Sequence, residues 1–465
     1  MQNSYELFIG IDVSKNKADA AIIKLYRDRS RKPKLLRKKI AFRFLTSEVD
    51  AFLSTVRKYV DDNCTHVTYA MEVTGSYSDN IYDALTSNKL EIEDVFLLEA
   101  RYVQNWCKTH NRPKSDPLDA ESIASIIAFE YDVKFVSKFD SSNEKGYTDL
   151  KHLVHRYYQL KKVLTQEMNR LIATCDRFFP ELQYVFKPKS AAFLAILSVY
   201  PTTYDIINAT KSEVFDLVFQ ATKHHVSMDK IDSLFDYCKD SLAPMVVSND
   251  ISSLILNQVS SVYHLRANLH EFEKLVKATA SQFVLFDILQ SMPGCGAITA
   301  ATVIAETCDI KRFSSADNFV SYAGLAPVNK RSGSSVEVLG KISKKGSKFL
   351  RHALFMIAEF ARRHNPILKH FFEIKKNGNK KRHRLAVVAV ANKVARYIYS
   401  VMKHNSEFII LDSDLSRLPE DTRNSFFQNI SFNIPKNNRK QVYRFCDCNG
   451  KISEFVYNSK DINEE

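Results

Sequence analysis

The sequence predicts a mixed α/β domain at its start, two long amphipathic helices in its middle and a mainly α-helical third region. Short apolar runs alternate with helical spacings as far as Phe129. Apolar residues then recur every three or four positions along two extended stretches. After Leu289, proline–glycine turns and basic loops separate shorter helices.

The first run, Leu7-Phe8-Ile9-Gly10-Ile11-Asp12, reads as a buried strand ending at an acid. Ala20–Tyr26 and Ile40–Phe44 read as two further strands of a meander. Val49, Phe52, Leu53 and Val56 have helical spacing. His66–Val73 is a fourth strand, and it carries Glu72 near its end. A helix over Ser76–Leu85, a short strand at Val95–Leu98 and a helix near Arg101–Lys108 follow. Lys114-Ser115-Asp116-Pro117-Leu118-Asp119 then opens a helix running through Ile123, Ile126, Ile127 and Phe129. Pro117 suits a first turn, where its missing N–H would have no helical partner.

From Leu150, the residues Leu153, Tyr157, Leu160, Leu164, Met168, Leu171, Cys175 and Phe178 mark one long helix. Ile255, Val259, Val262, Leu265, Leu269, Phe272 and Val276 mark a second. The simplest reading is an antiparallel coiled-coil pair, formed within one chain or across a dimer. Met292-Pro293-Gly294-Cys295-Gly296 resembles a helix-hairpin-helix turn, although a plain interhelical turn has the same residues. Asn449-Gly450, between two apolar runs, predicts a β-hairpin in the tail. The expected domains are residues 1–145, 146–285 with a helical insertion at about 180–250, 286–404, and a tail over 405–465.

The chain has 465 residues, too many for one ordinary core. Its net charge of +13 points to a polyanionic partner, with nucleic acid first. No signal-like start and no apolar run of spanning length are read, so a cytoplasmic, nucleoid-associated protein is expected. Eight cysteines in so long a chain are not a disulfide scaffold. Cys446 and Cys448 form a lone C-x-C pair, for which strand cysteines are the simpler reading and zinc would need further ligands.

Asp12 and Glu72 lie at strand ends, where polar residues of open sheets face a common crevice. Asp116 and Asp119 lie where a later helix can return to that crevice. Each acid alone reads as a solvated turn residue or a helix-dipole partner. Four together match the needs of phosphoryl transfer by two magnesium ions about 3.5–4 Å apart. Lys330-Arg331-Ser332-Gly333-Ser334-Ser335 is a serine-rich loop without a neighbouring histidine, so a hydrolase triad has no support. Lys341, Lys344, Lys345, Lys348 and Arg351 interleave with glycine, as backbone-tracking phosphate contacts require. Lys380, Lys381 and Arg382 add a basic loop.

The stretches Gly10-Ile11-Asp12-Val13-Ser14-Lys15, Met71-Glu72-Val73-Thr74-Gly75-Ser76-Tyr77 and Lys114-Ser115-Asp116-Pro117-Leu118-Asp119-Ala120 resemble the acidic motifs of the DEDD transposases of the insertion-sequence-110 family. Met292–Ala361 resembles that family's C-terminal transposase domain. The resemblance implies a RuvC-like, ribonuclease-H-type N-terminal fold whose Asp12, Glu72, Asp116 and Asp119 hold magnesium. It implies a nucleophilic serine, Ser332 of the Ser-Gly pair, and a covalent DNA–phosphoserine intermediate. Ser334 and Ser335 are alternatives, because Ser332 is followed by Gly-Ser-Ser. The implied partners are donor and target DNA, a structured bridge RNA, and further copies of the chain in a dimer or tetramer. A DNA invertase with the same chemistry, or a RuvC-like metal-dependent nuclease acting on branched DNA without a serine, is the competing reading.

Overall fold

The computed structural model describes residues 4–27, 32–72, 76–98, 100–110, 116–130, 144–244, 247–329, 339–379, 382–431, 442–447 and 450–457. The chain divides into two compact units, Met1–Glu144 and Lys145–Glu465.

In the first unit β1 (Tyr5–Val13), β2 (Ala18–Tyr26), β3 (Lys34–Phe42), β4 (Cys64–Glu72) and β5 (Glu93–Leu98) form one sheet in the order β3-β2-β1-β4-β5. The meander β1-β2-β3 is antiparallel, whereas β4 and β5 are parallel to β1. Strand alternation splits the apolar residues between two cores. Leu7, Ile9, Ile11, Val67, Tyr69 and Met71 face α1 (Thr46–Arg57) and α2 (Ser76–Ser87). Phe8, Ile23, Ala70 and Leu98 face α3 (Ala100–Thr109) and α4 (Asp116–Phe129). β3 begins six residues earlier than its apolar pattern indicates. Its Lys34, Arg37, Lys38 and Lys39 disguise it, and they are tolerated because β3 is an edge strand.

The second unit starts from α5 (Glu144–Phe178). A helical insertion follows, made of α6 (Leu182–Val185), α7 (Ala191–Leu197), α8 (Thr203–Ile207), α9 (Lys211–Ala221) and α10 (Met228–Lys239). The second long helix is α11 (Asn249–Ala280). Met168, Leu171 and Cys175 of α5 share the insertion's core with Ile255, Val259 and Val262 of α11. Leu150, Val154 and Tyr157 share the next core with Val276 and Ala280. The two helices therefore join the same two cores in opposite directions.

That next core is built from α12 (Leu285–Gln290), α13 (Ala297–Thr307), α14 (Ala316–Tyr322), α15 (Lys348–His364), α16 (Pro366–Lys376) and α17 (His383–His404). A two-stranded ribbon of β6 (Pro327–Asn329) and β7 (Leu339–Ile342) precedes α15. α17 is long and apolar enough to cross a membrane by length and composition, contrary to the expectation that no run reaches that length. Its Val387, Val390, Val394 and Ile398 are fully buried in the helical core, which accounts for its apolar character. In the tail, β8 (Ile409–Leu411), α18 (Asp412–Leu415), α19 (Glu420–Asn429), β9 (Ile430–Ser431), β10 (Val442–Cys446) and β11 (Ile452–Tyr457) give a sheet ordered β8-β10-β11-β9. β10 and β11 pair antiparallel around Gly450, whose φ is +79°.

Candidate active site

β1 and β4 are adjacent and parallel, with Ile11 opposite Met71. Continued one residue, that register sets Asp12 beside Glu72. Both fall on the sheet face opposite Ile11 and Met71, because alternation reverses at each step. This is the α3–α4 face, and both acids are half-buried there.

α4 lies directly on β1. A Cβ placed on Gly10 would come within 2.1 Å of the Ala120 carbonyl oxygen and 2.3 Å of the Ala124 nitrogen. Gly10 is therefore the residue that lets the helix backbone touch the strand. Two residues beyond Gly10 the strand reaches Asp12, and within one turn before Ala120 the helix carries Asp119 and Asp116. Asp119 is half-buried, and Asp116 opens the helix with its side chain outside the described residues. Strand and helix thus bring three segments, the ends of β1 and β4 and the start of α4, to one end of one sheet face. Among the described residues, no three Asp, Glu, His or Cys side chains form a group able to hold a metal ion. The donor chemistry nonetheless suits a hard divalent cation, since every predicted group is a carboxylate.

A further acid shares this face. Asp19 of β2 pairs directly across from Asp12 and is 2% exposed. Its Oδ2 accepts from Lys17 Nζ at 2.9 Å. Its buried Oδ1 has no hydrogen bond, and Lys39 Nζ stands 3.7 Å away. Asp19 escapes notice in the sequence because the apolar pattern places the start of this strand at Ala20, whereas β2 begins at Ala18. The signal lay in its cross-strand partner.

The predicted nucleophiles Ser332, Ser334 and Ser335, with Lys330 and Arg331, lie outside the described residues, as do Lys380, Lys381 and the Lys341 side chain. The frame around the serine loop is described. Pairing of Pro327 with Ile342 and Asn329 with Leu339 brings its two ends together. Ser343 N–H then donates to the Ala326 carbonyl at 2.9 Å, and Lys344 N–H to the Gly324 carbonyl at 3.1 Å. At Gly346, with φ +89°, an added Cβ would meet the Tyr322 carbonyl oxygen at 1.9 Å. Lys344, Lys345 and Lys348 are exposed on this segment, and Arg382 is exposed before α17. Arg351 instead braces the turn, its Nη1 donating to the Ala323 carbonyl at 3.2 Å. Gly294 serves packing as well, since a Cβ there would meet the Ile357 carbonyl oxygen of α15 at 2.7 Å.

The basic segment is tied to the long helix by an acid that was also not foreseen. Glu306 of α13 is 4% exposed. His155 Nε2 of α5 lies 2.5 Å from its Oε1, and Ser347 Oγ donates to its Oε2 at 2.5 Å. Ser347 Oγ also accepts from Leu350 N–H and so caps α15. With its proton committed to Glu306, Ser347 is a structural serine. Burial pushes the Glu306 carboxyl up, but the bonds from His155 and Ser347, with Lys151 and His155 charge, hold it below the ordinary glutamate value of 4.5.

Two family models match the chain. Residues 9–180 match the DEDD transposase model of IS110, and residues 286–373 match the model of the transposase IS116/IS110/IS902 family. An insertion element IS110 uncharacterized 43.6 kDa protein of Streptomyces coelicolor is 24% identical over 51% of this chain and 59% of its own length. The pilin gene-inverting protein of Moraxella lacunata is 30% identical over 30% of this chain and 43% of its own. The transposase for insertion sequence element IS1111A of Coxiella burnetii is 31% identical over 30% of this chain and 38% of its own. The matches therefore span less than two thirds of these relatives. The first model covers the sheet with its strand-end acids and α4, and the second covers α13, the basic segment and α15. The chain belongs to the IS110 family of DEDD transposases.

Proposed function

We propose that the chain is a DNA transposase or site-specific recombinase of a mobile element. The observation that supports this reading is the parallel β1–β4 register, with α4 seated on Gly10, which carries the ends of β1 and β4 and the start of α4 to one end of one face. The DEDD domain implies a divalent cation in general, and magnesium, two ions per site, fits four hard carboxylates. When bound, the ions would polarise the scissile phosphate and offset the charge that develops there. The acids bind and orient them, and the apolar α3–α4 core excludes water beneath them.

Ser332 is the proposed nucleophile. Its Oγ loses a proton and bonds to phosphorus as the bond to the leaving strand oxygen breaks, and that oxygen takes up a proton. A strand hydroxyl later reverses the step and releases the serine, so the phosphodiester is conserved. Lys344, Lys345 and Lys348, with Lys330, Arg331 and Lys341, hold the backbone phosphates, and Lys380, Lys381 and Arg382 extend the basic surface. The net charge of +13 also fits a structured guide RNA, which we propose as a partner alongside donor and target DNA. We further propose a RuvC-like catalytic domain over 1–145, coiled-coil helices over 146–285 that join protomers, a transposase domain over 286–404 and a tail over 405–465. The site of action is the cytoplasmic nucleoid.

The pilin gene-inverting relatives favour a second reading, inversion of a DNA segment by the same chemistry. Trapping the protein on DNA tests the serine step. A covalent adduct that survives Ser334→Ala but not Ser332→Ala supports it. Cleavage with no adduct would favour the metal-dependent nuclease instead.

A further inference from the structure

Among the described residues of the first unit, Asp19 and Glu93 are carboxylates that are each 2% exposed, and their surroundings differ. Glu93 lies on the α1–α2 face and is fully partnered. It accepts from Arg57 Nη2 at 2.9 Å, from Tyr69 Oη at 3.0 Å and from Leu90 N–H at 2.7 Å. Such a group is part of the core. Asp19 has one oxygen bonded and one without a hydrogen bond. That oxygen has the Lys39 ammonium 3.7 Å away but no hydrogen-bond donor, so its capacity to accept a hydrogen bond is unused within the protein.

The register says where that partner would sit. Asp19 is opposite Asp12 across the β1–β2 pair, and Asp12 is beside Glu72 across β1–β4. Three acids on three consecutive strands therefore form a row on one face, at the end where α4 begins. Asp19 has two cations near it, Lys17 at 2.9 Å and Lys39 at 3.7 Å. Those ammonium groups hold Asp19 back from direct ligation. They leave one carboxylate oxygen to accept a hydrogen bond from the hydration shell of an ion held by Asp12.

We infer that Asp19 is a positioning residue of the divalent-cation site, acting from its outer layer through the oxygen that lacks a hydrogen bond. This rests on the proposed metal role of Asp12. Outer-layer acids of metal sites commonly change affinity by about 10–100-fold. Lys17 and Lys39 act in the opposite sense, as charges that compete with the ion.

The test uses the full chain without DNA and manganese(II) as the probe, with free ion followed by electron paramagnetic resonance and folding by thermal melting. Asp12→Asn should remove the site. Asp19→Asn should weaken binding about tenfold or more at an unchanged stoichiometry. The double variant Lys17→Met/Lys39→Met should bind more tightly than the wild type. That arm also decides the matter if Asp19→Asn melts below the assay temperature. Unchanged affinity in Asp19→Asn, or unchanged or weaker affinity in the lysine variant, overturns the inference while Asp12→Asn still abolishes binding. Wild-type binding by Asp12→Asn overturns the metal reading itself, and the inference with it.

Discussion

Asp19 in the sheet and Glu306 in the helical unit are both buried acids, and the contrast between them separates two jobs. Glu306 has a partner for each oxygen, one on α5 and one at the cap of α15. It joins elements far apart in the chain and leaves nothing over for a ligand. Asp19 has a lysine on one oxygen and no hydrogen bond on the other, beside the predicted ligand Asp12. Burial of charge is costly in both places. The helical unit offsets that cost with a bond to each oxygen, and the sheet with two lysines that leave one oxygen without a hydrogen bond.

If the sheet end is the reactive site, the largest effect belongs to its acids. Asp12→Asn should lower DNA strand cleavage by at least about a thousandfold, about 4 kcal/mol of transition-state stabilisation. DNA affinity in a gel-shift assay should stay near wild type. Gly10→Ala should come next. Its Cβ cannot fit against α4 without a backbone shift, so cleavage should fall at least about tenfold, and urea unfolding should show a loss of about 1–3 kcal/mol.

On the other side of the comparison, Glu306→Ala should act mainly on stability. A loss of about 2–3 kcal/mol is expected in urea, below the ~3–5 kcal/mol of a fully buried pair because His155 is partly exposed. Ser347→Ala removes one partner and the α15 cap, so about 1 kcal/mol is expected. The smallest effect is one of pH. Because the folded carboxyl titrates below the ordinary glutamate value of 4.5, its contribution is complete above that value. It should fade as pH falls through the lower folded value. Denaturation midpoints of Glu306→Gln should therefore depend less on pH in the acid range than those of the wild type.

The same contrast governs what could be read from the chain. The apolar run ending at Asp12, and the start of α4 at Asp116-Pro117, are local signals, and the strand–helix order followed from them. Asp19 is equally local in position, but its importance comes from the Asp12 register, which no single strand reveals. Glu306 sits in an apolar helix and meets His155 across 151 residues, a separation that periodicity does not cross. β6, β7, β8 and β9 span two to four residues each, too short for alternation to register. β3 was read short because its lysines belong to an exposed edge.

Acids distant in the chain are expected to share one ion, and iron-directed backbone cleavage measures that directly. The full chain would be loaded with iron(II) in place of magnesium, then treated with ascorbate and peroxide, and the cut positions sequenced. Cuts clustered beside Asp12, Glu72 and the Asp116–Asp119 turn, all lost in Asp12→Asn, are the predicted result. Cuts that spare either the strand ends or the α4 turn, or that persist in the variant, would contradict it.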